Sequence, residues 1–113
     1  MRRTGIKRKR SKYEDELNQA REAVYYRSGG VCEGFQFALA TMGERAMNVY
    51  PFTECRVKAQ HVHHRKYRSR GGSNDLKNLL HVCYQCHAWI HRNGGFGQPA
   101  NLMGLALSAE EDE

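Results

Sequence analysis

Nothing in this chain of 113 residues reads as a membrane span or an export leader. It opens MRRTGIKRKRSK, with no apolar stretch of signal-peptide type, and no later run is long enough for a transmembrane helix. The expectation is a cytoplasmic protein. Apolar residues are scarce as well, at 40%, and mean hydropathy is −0.78. A single small domain of this composition has a thin core and would gain from a staple. No internal repeat is present, and two strongly basic stretches contain no acid at all. Residues 1–12 hold seven Lys or Arg without an Asp or Glu, and residues 56–70 hold six more.

Against those absences stands a formal charge of +6 and a pI near 9.4. The last four residues, Glu110, Glu111, Asp112 and Glu113, are all acidic, so the positive charge lies upstream. Concentrated cationic charge suits a phosphate-rich partner such as DNA, although a solvated basic surface gives the same count. The cysteines number four. In a reducing compartment they read as metal ligands rather than disulfides.

Residues 1–12 read as a disordered basic arm, ahead of a folded domain over 13–107 and an acidic tail over 108–113. Tyr13, Leu17, Ala20 and Val24 recur at helical spacing. Ser11 and Glu14 form a capping-box pattern, and Gly29-Gly30 stops the helix. Residues 33–54 read as an excursion inserted between Cys32 and Cys55, with a short helix from Phe35 to Met47 weakened by Gly43 and ended before Pro51. Arg56 to His64 alternates like a strand, with Val57, Ala59 and His61 on one face. A polar loop follows from Arg65 to Lys77, with turn signals at Gly71-Gly72 and Ser73-Asn74-Asp75. Leu79 to Val82 suits a return strand, Tyr84 to Asn93 a helix, and Ala100 to Leu107 one or two further helical turns.

The stretch from His63 to His91 carries five of the six histidines and two of the four cysteines. His87 and His91, four apart on a helix, share one face. Alone, that pair would read as incidental surface histidines. A strand delivering a third imidazole could close a metal site. His61 and His63 face the same way, so either could be that third ligand. His64 points to the other face. Cys83 and Cys86 stand at zinc-knuckle spacing and need a second pair, which only Cys32 and Cys55 can supply. Cys83-Tyr84-Gln85-Cys86-His87 also matches haem attachment, a chemistry that follows export. A thioredoxin-like reading would need a βαβ context that is missing.

The segment HVHHRKYRSRGGSNDLKNLLHVCYQCHAWIH, with Gly29-Gly30-Val31-Cys32-Glu33 as a weaker match, resembles the HNH endonucleases, in particular their small zinc-stapled bacteriophage type. The resemblance implies a small α+β fold of the ββα-metal, treble-clef-like kind over residues 56–93, with an N-terminal helix and a structural zinc. Its His–Asn–His falls on His64, Asn78 and His87. By the same resemblance His63 is a metal ligand, placed just before the base, with His87 and His91 completing the set. His64 is then the general base, and Asn78 holds the loop and orients His64. The catalytic ion would be Mg, Mn, Ni or Zn. The family supplies its second cysteine pair as a close CxxC, whereas 22 residues separate Cys32 from Cys55 here. Arg65, Lys66, Arg68 and Arg70 would contact DNA phosphates without reading sequence. The implied activity is phosphodiester hydrolysis at weakly preferred sites in the cytoplasm, that of the host for a phage protein, with packaging proteins as family-level partners. The rival reading is a zinc module that binds DNA or protein without cleaving.

Overall fold

The computed structural model describes residues 11–113, so the basic arm lies almost wholly outside the described residues. Helix α1 spans Lys12–Ser28. Ser11 Oγ accepts from the Glu14 N–H at 3.1 Å, and Glu14 Oε1 accepts from the Ser11 N–H at 2.9 Å, the reciprocal cap that the sequence suggests. Gly29 ends the helix at φ 66°, a conformation costly for any residue with a Cβ.

Of the α1 stripe only Val24 is buried. The helix is anchored more by Arg27. This guanidinium donates to both Glu33 carboxylate oxygens (2.9 and 2.7 Å) and to the carbonyls of Leu76 (3.0 Å) and Leu79 (2.7 Å). Bidentate, charge-assisted pairing of this kind fixes orientation as well as distance.

The segment read as an excursion is a working part of the core. Helix α2 (Gly34–Met42), a 3-10 turn (Gly43–Arg45) and the short α3 (Ala46–Val49) fold it inward. Phe35, Ala38, Ala46 and Tyr50 are buried there. Tyr50 meets Trp89 edge-on at 5.2 Å and Phe35 at 6.0 Å. Aromatic burial of this size supplies much of what a thin core needs. The sequence hid it because Gly43 breaks the helical period.

Strands β1 (His61–His64) and β2 (Leu79–Val82) pair antiparallel, with His61 opposite Val82 and His63 opposite Leu80. The expected strand from Arg56 is thus shorter. Its upstream half has other partners: Cys32 N–H donates to Val57 O, Ala59 N–H to Gly30 O, and Val31 bridges Lys58. Helix α4 (Tyr84–Arg92) follows β2, with Cys86 and Ile90 buried. Helix α5 (Pro99–Leu102) and the chain after it add Ala100, Met103, Leu105 and Ala106 to the core.

Between the strands the loop is drawn tight at Gly72. A Cβ there would collide with the Lys66 carbonyl oxygen and stand 2.9 Å from that of Tyr67. Gly72→Ala is therefore expected to cost about 2 kcal/mol of stability. Gly95→Ala, whose Cβ would meet only Gln98 Cγ at 3.5 Å, is expected to be near neutral. Thermal melts decide this; equal melting temperatures for the two variants would contradict it.

Candidate metal centre and catalytic loop

Strand β1 and helix α4 bring three imidazoles together. One ring nitrogen from each of His63, His87 and His91 lies within 4.8 Å of the others. The ββα order does this geometrically. Alternation on β1 turns His63 towards α4, and the i, i+4 spacing puts His87 and His91 on one helix face. Between the two candidates on β1, it is His63 that joins His87 and His91. His61 is exposed, 4.9 Å from the His87 ring, and outside the group of three.

Two of the three rings have a hydrogen-bond partner outside the group. His63 Nε2 lies 2.7 Å from the Leu105 carbonyl, which can only accept. Nε2 therefore carries the proton, which leaves the Nδ1 lone pair as the one this neutral ring can offer a metal. His91 Nδ1 lies 2.9 Å from the Tyr67 hydroxyl, and the two rings stack at 5.4 Å. His91 Nε2 and His87 Nε2 face each other at 2.9 Å. Burial, with neighbouring histidines adding to it, pulls the His63 imidazole down to about 3 against the opposing Leu105 hydrogen bond. Burial likewise pulls His87 down to about 4, helped by His91 and His61. Two of the three imidazoles are thus neutral at neutral pH, the form that binds metals. Three protein nitrogens would leave a bound ion coordination positions for water or substrate, whereas a closed structural site has four protein ligands.

His64 faces the loop. Its Nε2 lies 2.8 Å from the Asn74 amide oxygen, a partner the sequence reading missed. Asn78, expected to orient His64 by hydrogen bonding, makes its side-chain hydrogen bonds elsewhere. Its amide closes the loop instead, accepting from Lys66 N–H at 2.8 Å and donating to the carbonyls of Lys66 (3.0 Å) and Ser73 (2.8 Å). The buried Asn78 therefore sets the loop's path, and the loop sets Asn74. The signal was present in the Ser73-Asn74-Asp75 turn, but composition could not say which amide would reach the imidazole.

The four basic residues of the loop differ in their freedom. Arg65 is a tie rather than a free phosphate contact. It is half-buried, donates to the carbonyls of Gly104 (2.6 Å) and Lys77 (2.8 Å), and lies over the Phe37 ring at 4.6 Å. Arg68 and Arg70 are exposed, over the rings of Tyr13 and Tyr67. Lys66 is half-buried.

The second cluster gathers Cys32, Cys55, Cys83 and Cys86, whose sulfurs also lie within 4.8 Å of one another. All four are free thiols. Cys55 arrives from a turn in which Glu54 takes φ 57°, a left-handed conformation uncommon for a side-chain-bearing residue. Cys83 caps α4, its sulfur accepting from the Cys86 N–H at 3.4 Å. The hydrogen bond with Cys86 holds the Cys32 thiol down to about 5, against burial. The Tyr50 hydroxyl is buried without a hydrogen-bond partner among the described residues, and Cys86 is its electrostatic neighbour. A thiolate would give that O–H an acceptor. The four cysteines can hold a structural metal, even though 22 residues part the first two.

Residues 52–93 match the family model described as HNH endonuclease. This segment is an HNH endonuclease domain. The HNH segment contains β1, β2, α4 and every residue of both clusters except Cys32. The match points to a nuclease-type function, with nucleic acid as the substrate class. No curated protein and no solved structure matches the chain. Among the described residues no helix is long and apolar enough to cross a membrane.

The Tyr67 contact yields a measurable consequence. Tyr67→Phe is expected to weaken Ni or Mn binding about tenfold, read by calorimetric titration, with the melting temperature little changed. An unchanged affinity would remove Tyr67 from the support of His91.

Proposed function

We propose that the chain is a metal-dependent DNA endonuclease with weak sequence preference, using His64 as general base. The observation that carries this reading is the division of labour on β1. His63 converges with two helical imidazoles, while the adjacent His64 is held apart by the loop. Because the Asn74 oxygen accepts from His64 Nε2, that nitrogen holds the proton and Nδ1 keeps the lone pair. His64 Nδ1 would take a proton from water, which then attacks phosphorus in line with the 3′ oxygen. The products would carry 5′-phosphate and 3′-hydroxyl. Asn74 holds the imidazole tautomer, and Asn78 fixes the loop from beneath. A divalent ion held by His63, His87 and His91 would neutralise charge on the phosphate and the departing oxygen. Of the candidate ions Mg, Mn, Ni and Zn, an all-imidazole set favours Ni and Zn. Arg68, Arg70 and Lys66 would meet flanking phosphates.

For the cysteines we propose a structural zinc. A tetrahedral Zn–S bond of about 2.3 Å implies sulfurs about 3.8 Å apart, and the Cys55 and Cys83 sulfurs stand 3.8 Å apart. Four protein ligands would close the site to water.

Two measurements test these assignments. His64→Ala is expected to lower plasmid cleavage by about 10² to 10⁴, with DNA and metal binding retained, across Mg, Mn, Ni and Zn. Equal nicking by both proteins would mean that His64 is not the base. DNA binding without cleavage by the wild type under every metal would favour a non-catalytic zinc module. Cys55→Ser is expected to lose stoichiometric zinc and several degrees of melting temperature. A variant keeping both would exclude Cys55 as a ligand.

A further inference from the structure

The acidic tail folds back onto the loop that follows β1. Leu107 N–H donates to the Arg65 carbonyl, which lays the chain beside the loop that carries Lys66. Glu111 then turns the tail back, its Oε1 accepting from Ser108 N–H and Asn101 Nδ2 at 2.8 Å each. That leaves Glu113 at Ser73. One carboxylate oxygen accepts from the Ser73 N–H at 2.8 Å and the other from the Ser73 hydroxyl.

Ser73 is a rigid receptor. Asn78 holds its carbonyl, and its hydroxyl also accepts from the Asp75 N–H at 3.2 Å. It precedes Asn74, whose amide holds His64. Ser73 and Asn74 line an open groove of about 480 Å³ between α1 and the loop. Glu113 is held below the usual carboxylate range first by its Ser73 hydrogen bonds, with Lys77 and Lys66 adding their charge. Two convergent donors near Lys66 and Lys77, one residue from the partner of the base, suit a second anion, with Arg68 but also Glu16 and Asp75 lining the groove.

We propose that Ser73 is a binding site for a DNA phosphodiester, and that Glu113 occupies it as an intramolecular competitor. This rests on the nuclease reading above. A phosphodiester offers two charged oxygens, as a carboxylate does, and Ser73 N–H and Oγ–H would donate to them. Duplex DNA therefore displaces the tail when it reaches His64, and the tail sets a threshold against loosely bound DNA.

The test uses full-length chains carrying His64→Ala, so that DNA survives, and measures the Kd for a labelled duplex by fluorescence anisotropy. Glu113→Gln is expected to tighten binding about fivefold, as one charge-assisted contact is released. Glu110→Gln removes the same charge from an exposed neighbour and is expected to change Kd by less than about twofold. Adding Ser73→Ala to Glu113→Gln should abolish the gain. If the His64→Ala chain binds DNA and the two glutamate variants behave alike, the competitor is overturned while the nuclease reading stands. A gain that survives Ser73→Ala overturns Ser73 as the receptor. If no variant binds DNA, both readings fall together.

Discussion

The first turn of α4 is the constraint on which the molecule depends. Cys83 caps it, Cys86 faces inward to the thiol cluster, and His87 faces outward to the imidazole cluster. The His87 N–H donates to the Cys83 carbonyl at 2.9 Å, so one hydrogen-bonded turn connects the two. The cysteine cluster ties this turn to the end of α1, to the turn at Glu54 and to β2. Whatever fixes the sulfurs also fixes the angle at which His87 and His91 meet His63. In a chain with so little apolar residue, packing alone would hold that angle weakly.

Around that turn, polar clamps finish what the core begins. Arg27 links α1 to Glu33, to the first carbonyl of β2 and to that of Leu76 ahead of it. Asn78 closes the loop on itself, and Arg65 ties its start to the C-terminal segment. Each clamp satisfies carbonyls that the irregular backbone would otherwise leave unpaired. The loop beside His64 is thus shaped by hydrogen bonds rather than by burial, which leaves its outer face available to a charged ligand.

Much of this was legible in the residues. The capping box at Ser11 and Glu14, the return strand Leu79–Val82 and the i, i+4 histidines follow from local chemistry with strict spacing. The meeting of Cys55 with Cys32 followed from ligand arithmetic. What was not legible depends on tertiary placement. The segment 33–54 looked external because Gly43 interrupts its period, yet its aromatic side chains fill the core. Arg65 looked like its basic neighbours; only the carbonyls of Gly104 and Lys77 draw it inward. Asn74 and Asn78 are chemically identical side chains in one loop, and which of them reaches His64 is decided by the backbone path that Gly72 permits. The Leu105 carbonyl joins the site from a distant part of the chain, and Tyr67, only three residues after His64, reaches His91 across the fold; no motif marks either contact.

Cys86 and His87 are consecutive residues serving different clusters, and this fixes the phase of the helix. Successive side chains are offset by about 100° around an α-helix, so one inserted or deleted residue at this junction would rotate His87 and His91 away from His63 while the thiols stayed in place. The exposed turns of 33–54 face no such limit, because both ends are tethered at Cys32 and Cys55. Length can drift there over evolutionary time, whereas the junction in α4 admits substitution but no change of register.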